Sequence, residues 1–358
     1  MPSTDPMNAS PGAPIRLRGP AEIAAAVPVL LGYHPDGDTM VMVCLNRHGD
    51  ALRLGPLAGI PLPGQPLAAP SGEVVAGYLP PLRALIGTSS ADAVLLIVYT
   101  TAPGGYAELA LTLADVLHGT ATEVLDVLHV TSGSVGSYHY PDQGVVAVGG
   151  AGPVAAAAAM IGRSVLPSRR DIAHAIDPDH TGHPLPGGQL TDATADATAL
   201  CRTDPDALAT RAEQLYTDLL HRADHGGNLP DDHAADLLAA LAASPAVRDH
   251  ITALAVRDAA TDRAPAATAA LTGLAGRTPH PHAAPICTVL AMTAYRTGDG
   301  TLANVALDRA LTSDPDYPLA HLLGYAITQA LPPAMLDQVT ACRGHRLTRA
   351  LRPTTSQR

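Results

Sequence analysis

Apolar residues form short continuous runs in the first half of the chain and follow helical spacing in the second half. The runs at 40–45 and 93–101 have the length and composition of strands buried on both faces, as in a helix-covered sheet. Segments with apolar residues at helical spacing separate the strands, at 21–31, 73–86 and 105–118. This alternation predicts a three-layer α/β domain with a mixed sheet over residues 15–176.

Five further features belong to this prediction. Ile15 to Arg18 alternates apolar and basic residues, which favours an edge strand. A turn at 47–50 leads into an antiparallel strand at 51–54, and the Pro- and Gly-rich stretch 56–71 is typical of a loop. Pro80-Pro81 is expected to break the helix at 73–86 into two pieces. Residues 123–130 form the next strand.

The second half has helical periodicity throughout. Residues 177–192, DPDHTGHPLPGGQLTD, have the composition of a linker. Helices are predicted near 194–222, 231–243, 246–261, 265–276, 284–297, 301–313, 317–330 and 333–350. We therefore expect an all-α domain of stacked helical hairpins over 193–350, with a disordered lead-in at 1–14 and a tail at 351–358.

One segment of this helical domain, Ile286 to Pro315, has the pattern of a tetratricopeptide-type unit. Small residues at 291, 303 and 310 would let two helices cross closely, and Gly298 would form the turn between them. Leu322 to Tyr325 could begin a second unit. A single unit cannot bury its own apolar face, so neighbouring helices must complete the stack.

The amino-acid composition indicates the kind of genome that encodes the protein and the classes of partner that it disfavours. All 22 basic residues are Arg, and Lys, Phe and Trp are absent. This indicates a GC-rich genome of the actinobacterial kind or, alternatively, selection against lysine modification. The net charge of −11 disfavours binding to nucleic acid or to an anionic membrane, because both require a basic face.

The sequence also indicates a compartment. No apolar run approaches the roughly 20 residues that span a bilayer, and the N-terminus lacks the features of a signal peptide. Each of the four cysteines stands alone in an apolar run, as expected for reduced thiols. A cytoplasmic protein is therefore expected.

The polar turn between residues 33 and 38 is a candidate metal site. His34, Asp36 and Asp38 alternate along it, and imidazole and carboxylate ligands in one short loop would suit Mg²⁺ or Mn²⁺. The alternative is a plain turn between a helix and a strand, because Pro, Asp and Gly are the residues that turns favour.

A ligand crevice is predicted beside this turn. Tyr99, Thr100 and Thr101 end the central strand just before a Pro-Gly-Gly sequence that leads into a helix. Ligands of α/β proteins commonly bind beyond the carboxyl ends of strands, and a helix N-terminus favours an anion. Tyr33 and His34 would face the same crevice. If the first strand lies alongside, Arg16 and Arg18 would be the nearest partners for an anionic or nucleotide-like ligand.

Ser132, Ser134 and Ser137 lie near His129 and His139, which raises the question of a hydrolase. No GxSxG sequence with a strand–turn–helix context is present. The alternative is a hairpin rich in Gly and Ser.

Four segments resemble one uncharacterised actinobacterial family, domain of unknown function 4192. They are IRLRGPAEIAAAVPVLLGYHPDGDTMVMVCL, ADAVLLIVYTT, SVLPSRRDI and YRTGDGTLANVALDRALTSDPDYPLAHLL. The resemblance extends from about residue 15 to 335 and implies lineage and overall layout only.

No complete catalytic constellation is recognisable in the sequence. The leading hypothesis is a non-enzymatic interaction or regulatory protein whose helical domain binds a protein partner. The alternative is an enzyme or binding protein for a small anionic or nucleotide-like ligand in the α/β crevice, dependent on a divalent metal.

Overall fold

The computed structural model describes residues 15–35, 37–49, 51–65, 70–119, 122–149, 152–160 and 165–336. The chain divides into two compact units. An α/β unit contains residues up to 77 and residues 91–165, and a helical unit contains residues 78–90 and those from 166 onward.

The α/β unit is built on a mixed sheet, as predicted, and this sheet has six strands within the residues that the structure describes. Its elements are α1 (Pro20–Leu31), β1 (Thr39–His48), β2 (Ala51–Pro61), α2 (Gly72–Ser89), β3 (Ala93–Tyr99), α3 (Ala107–His118), β4 (Glu123–Thr131), β5 (Ser134–Ser137), β6 (Val146–Ala147) and α4 (Gly152–Met160). The strand order is β2-β1-β3-β4-β5-β6, and among these strands only β3 and β4 run parallel. Residues 78–89 of α2 belong to the helical unit, because the division falls after Gly77.

Helices cover both faces of the sheet. All of β3 is buried, and successive residues of a strand face opposite sides. The Tyr99 hydroxyl donates to the Ala24 carbonyl of α1 at 3.0 Å. The next residue, Thr100, shares the carboxylate of Asp38 with Tyr106, which directly precedes α3. α1 and α3 therefore lie on opposite faces.

Two predictions at the edges of the sheet were wrong. Residues 15–18 do not form a strand, and the Arg18 backbone N–H donates instead to the Glu22 carboxylate at 2.6 Å. β2 continues to Pro61 through the predicted loop, pairing with β1 across a register shift. β2 tolerates Pro56 and Pro61 because it is an edge strand, where a missing N–H need not break a ladder on both sides.

α2 is one continuous helix rather than two pieces, with Pro80 and Pro81 inside it. Proline removes backbone N–H donors, but its fixed φ is compatible with a helix. Leu82 and Ile86 follow the prolines one turn apart, and both are buried. Their burial anchors the second half of the helix.

The helical unit confirms the all-α prediction for the second half. Its elements after α2 are α5 (Arg169–Ala175), α6 (Pro178–Thr181), α7 (Gly187–Thr203), α8 (Pro205–Ala223), α9 (Asp231–Ala243), α10 (Pro245–Asp258), α11 (Ala264–Ala275), α12 (Ala283–Arg296), α13 (Gly300–Ser313) and α14 (Pro318–Thr328). The helix predicted at 333–350 falls almost entirely outside the described residues, as do the lead-in and the tail.

Two parts of the helical prediction need correction. The single helix expected at 194–222 is two helices, because Asp204 accepts the Ala207 N–H at 2.9 Å and caps a new helix that starts at Pro205. The predicted linker, 177–192, contains α6 and the first turns of α7. Asp177 caps α6, and Gly182 ends it with φ +76°.

α12 and α13 form a closely packed hairpin. Ala291, Ala303 and Ala310 are fully buried at their crossing, as the small-residue pattern predicts. Whether the hairpin belongs to the tetratricopeptide type stays a prediction. None of the described helices has both the length and the apolar character needed to cross a membrane.

Candidate functional site

The turn at 33–38 and the predicted crevice after β3 lie together at one end of the sheet, where β1 begins and β3 ends. β1 and β3 are antiparallel neighbours, with Thr39 paired to Tyr99. The residues that precede β1 therefore lie beside those that follow β3. The contact between them is direct, because the Thr100 hydroxyl donates to Asp38 Oδ1 at 2.6 Å.

Asp38 is a hub of hydrogen bonds within the protein. Its second oxygen, Oδ2, lies 2.7 Å from the Tyr106 hydroxyl, which is also 2.7 Å from the Pro63 carbonyl oxygen. Thr100 is only 7% exposed and Tyr106 is fully buried. Asp38 thus satisfies two hydroxyls that would be costly to leave unpaired. Tyr106 was not predicted as part of this site. The only indication in the sequence is that an aromatic residue stands directly before an amphipathic helix.

The remaining members of the predicted metal site do not join this hub. His34 is exposed, and Asp36 lies outside the described residues. Within the parts of the chain that the structure describes, no three His, Cys, Asp or Glu side chains are grouped so as to hold a metal ion. The Mg²⁺ or Mn²⁺ site at His34, Asp36 and Asp38 stays a prediction.

The predicted ligand-binding residues fall into two groups. Tyr33, Tyr99 and Thr100 are buried, and burial raises the pKa of Tyr99 well above its ordinary value. A ligand in the crevice would not reach these side chains without displacing their packing. Four others are exposed to solvent: Arg16, Arg18, His34 and Thr101. Ligand binding by either group stays a prediction.

A second polar cluster joins β4 to the turn after β5. The Ser137 hydroxyl donates to Asp126 Oδ1 at 2.6 Å and accepts the Tyr140 N–H at 2.9 Å. His139 Nδ1 lies 3.6 Å from the same carboxylate oxygen. Nucleophilic catalysis of the Ser-His-Asp type places the imidazole next to the hydroxyl. Here the carboxylate lies next to the hydroxyl, so this arrangement fixes the turn.

Asp126 was missed in the sequence. Its position follows a register shift between β3 and β4, where Leu95 pairs with Asp126 although Val94 pairs with Val124. Such irregularities re-aim side chains and leave no clear mark in the sequence.

The hairpin alternative for the serine-rich segment is confirmed. β4 and β5 pair antiparallel, with Thr131 opposite Ser134. The His129 ring lies 4.8 Å from the Tyr138 ring, and burial lowers the pKa of His129. Burial also raises the pKa of Tyr138 to about 12. Both side chains therefore stay neutral at pH 7.

The helical unit presents an uncharged surface on α14. Leu322 is 58% exposed and Tyr325 is 66% exposed, although both are large apolar residues. They lie three positions apart on one face of the helix, and α14 contains no Asp, Glu, Lys or Arg. Ala320 and Leu323 are buried and attach the helix to the rest of the unit. We call the surface formed by Leu322 and Tyr325 the α14 face.

The family model described as Domain of unknown function (DUF4192) matches residues 20–334. The chain belongs to this family. Comparisons with curated proteins and with solved structures gave no match. The match to DUF4192 extends over both units, and the family carries no known activity.

Proposed function

We propose that this DUF4192 protein is a non-enzymatic interaction protein with a regulatory role, which binds a protein partner through the α14 face. The observation that carries the proposal is the exposure of Leu322 and Tyr325 together on one helix. Binding hot spots are enriched in Tyr and lie where charged residues are depleted. α14 meets both conditions.

The helical architecture supports this proposal. The α12–α13 hairpin packs against α14. We propose that this hairpin is a unit of the tetratricopeptide type. Stacks of helical hairpins create extended surfaces, and many such proteins use those surfaces to bind other proteins. The α14 face would be the docking end of such a stack.

The state of the polar side chains supports a non-enzymatic role. Asp38 is engaged by Thr100 and Tyr106, and Ser137 is engaged by Asp126. A catalytic nucleophile or base needs a reacting group within hydrogen-bond reach. These side chains are instead bonded to one another.

One observation favours the second candidate, a protein that binds a small anionic or nucleotide-like ligand. The Asp38–Thr100 contact places the exposed His34 and Thr101 at the same edge of the sheet. A rise in melting temperature with MgCl₂ and ADP would support this candidate. An unchanged melting temperature over a saturating range would remove it.

We place the protein in the cytoplasm of an actinobacterium as part of the same proposal. Cys287 is a buried free thiol, and burial raises its pKa to about 11. Such thiols fit a reducing compartment. The use of Arg without Lys fits a GC-rich genome.

Sedimentation of the fluorescently labelled full chain in an extract of its source cells tests the docking function. The wild type should sediment faster than the purified chain, whereas Leu322→Ser with Tyr325→Ser should sediment as the purified chain does. The matched control is Leu52→Ser with Leu54→Ser, which changes two exposed leucines of the α/β unit and should leave the complex intact. A complex that survives the α14 substitutions would overturn the proposal.

A further inference from the structure

A cavity of about 530 Å³ lies within the helical unit. Its size falls within the range of small-molecule sites. Side chains of α5, α6, α13 and the segment before α12 form its walls. The lining includes Arg169, Ile176, Asp177, Ala283, Asp308 and Arg309.

α13 contributes one continuous stripe to this cavity. Val305, Arg309 and Thr312 lie three or four positions apart, which places them on one face of a helix. Ala173 and Pro279 are half-buried apolar residues on the other walls. The cavity therefore combines an apolar surface with charged groups.

The guanidinium of Arg309 is fixed in place by backbone carbonyls. Nη1 donates to the carbonyl of Ile176 and, at 2.7 Å, to that of Ala275, while Nη2 donates to Thr278 at 2.5 Å. A guanidinium has five N–H donors, and among the described residues the Nε–H and the second Nη2–H have no hydrogen-bond partner. Arg309 is thus a preorganised cation with donors to spare beside the cavity.

Asp177 supplies the opposite charge. Oδ1 accepts the Asp179 N–H at 3.1 Å and Oδ2 lies 3.0 Å from His180 Nδ1. Burial acts to raise the pKa of Asp177, but these bonds and the charges of His180 and Arg309 outweigh it and lower the pKa. The carboxylate is therefore ionised at pH 7.

The two charges share the cavity without forming an ion pair with each other. The ion pairs of the described residues join Asp177 to His180, and Arg309 takes part in none of them. At the rim, Arg169 and Asp308 neutralise each other at 2.8 Å. The lining of the cavity therefore holds the cation of Arg309 and, already bonded to His180, the anion of Asp177.

We propose that this cavity binds a small organic zwitterion of amino-acid size. Its ammonium group would pair with Asp177, its carboxylate with the remaining donors of Arg309, and its apolar body would lie against Ala173 and Pro279. A lone cation would face the charge of Arg309, and a lone anion would face that of Asp177. The site therefore selects for both charges on one molecule. This inference is independent of docking at the α14 face.

The test is ligand-observed NMR on the full chain at pH 7 with three matched probes. L-norvaline carries both charges, n-butylamine carries only its ammonium group and valerate carries only its carboxylate. Norvaline should bind, and the two fragments should bind at least tenfold more weakly. Equal binding of norvaline and n-butylamine, or no binding of norvaline at millimolar concentration, would overturn the proposal.

Two substitutions locate the binding. Asp177→Asn keeps the helix cap, since Asn caps as well as Asp, but removes the charge. It should weaken norvaline binding about tenfold, consistent with the loss of a charge-assisted hydrogen bond. The control Asp236→Asn removes a partly exposed carboxylate of α9, paired with Arg211, that does not line the cavity and should leave binding unchanged.

Ala173→Met tests whether the ligand occupies the cavity. Ala173 lines the cavity and is half-buried, so a longer side chain there should reduce the volume without disturbing the core. Norvaline binding should be lost while the melting temperature stays within a few degrees of the wild type. Unchanged binding in either Asp177→Asn or Ala173→Met would place the ligand elsewhere and contradict the inference.

Discussion

The Tyr106 hydroxyl lies 2.7 Å from Asp38 Oδ2, across a separation of 68 residues in the chain. This contact joins the residue before α3 to the turn before β1. Thr100 completes the arrangement on the other carboxylate oxygen. The edge of the sheet that the sequence marked as a metal or ligand site is therefore organised around Asp38 as a structural acceptor.

Asp38→Ala should destabilise the protein by about 1–3 kcal/mol, because it leaves the buried Thr100 hydroxyl without its acceptor and leaves the Tyr106 hydroxyl with only the Pro63 carbonyl. Urea unfolding of the full chain measures this loss. The control Asp115→Ala removes an exposed carboxylate of α3 and should change stability by less than about 0.5 kcal/mol. A loss at Asp38 no larger than the control would show that the hub does not stabilise the fold.

Periodicity located the elements with strong apolar patterns. β1 and β3 were found because their runs are buried on both faces, and the bounds of α9 match its prediction. The errors arose where local composition and tertiary context disagree. Pro56 indicates a loop in isolation but is accepted in an edge strand, and Pro80 is accepted in a helix anchored by Leu82.

The candidate site was only partly predictable for a related reason. The antiparallel pairing of β1 and β3 brought the two predicted loops together, but the partners of their polar groups are distant in sequence. Nothing near Asp38 points to Tyr106, and nothing near Ser137 points to Asp126. Spacing in one sequence reports on local neighbours, whereas these bonds depend on strand order.

Gly136 and His129 should be energetically coupled. A Cβ on Gly136 would lie 2.6 Å from His129 Nε2, which no relaxed structure permits. Gly136→Ala should therefore destabilise the protein by about 1–3 kcal/mol. In a His129→Ala background the same substitution should cost at least about 1 kcal/mol less. Additive effects in the double-mutant cycle would refute the coupling.

His129 should make stability depend on pH. Burial lowers its pKa in the folded state, so the unfolded chain binds more protons as the pH falls below the unfolded pKa of about 6.5. Stability should therefore be highest above that pH and decline below it. The stability of His129→Gln should decline less between about pH 7.5 and 5.5 than that of the wild type, because the variant lacks the titration of His129. The other histidines titrate in both proteins and contribute equally to both curves. Parallel curves from chemical unfolding would contradict this.

Arg309 should be a major stabilising residue of the helical unit. Arg309→Met leaves the carbonyls of Ile176 and Thr278 without their Arg309 donor and that of Ala275 with only the Thr278 N–H, which should cost about 2–4 kcal/mol. Arg211→Met removes an exposed ion pair with Asp236 and should cost less than about 1 kcal/mol. Urea unfolding compares the two variants, and equal losses would mean that the carbonyl contacts of Arg309 contribute little.

The central claim is that the α14 face binds a protein partner. Site-specific photo-crosslinking in the source cells tests it most directly, with the photoreactive amino acid p-benzoylphenylalanine placed at Tyr325 or, as a control, at the exposed Leu54 of β2. A discrete crosslinked protein should appear from position 325 and be absent from position 54, and Leu322→Ser should abolish it. No crosslink from position 325, or the same crosslinked protein from both positions, would contradict the claim.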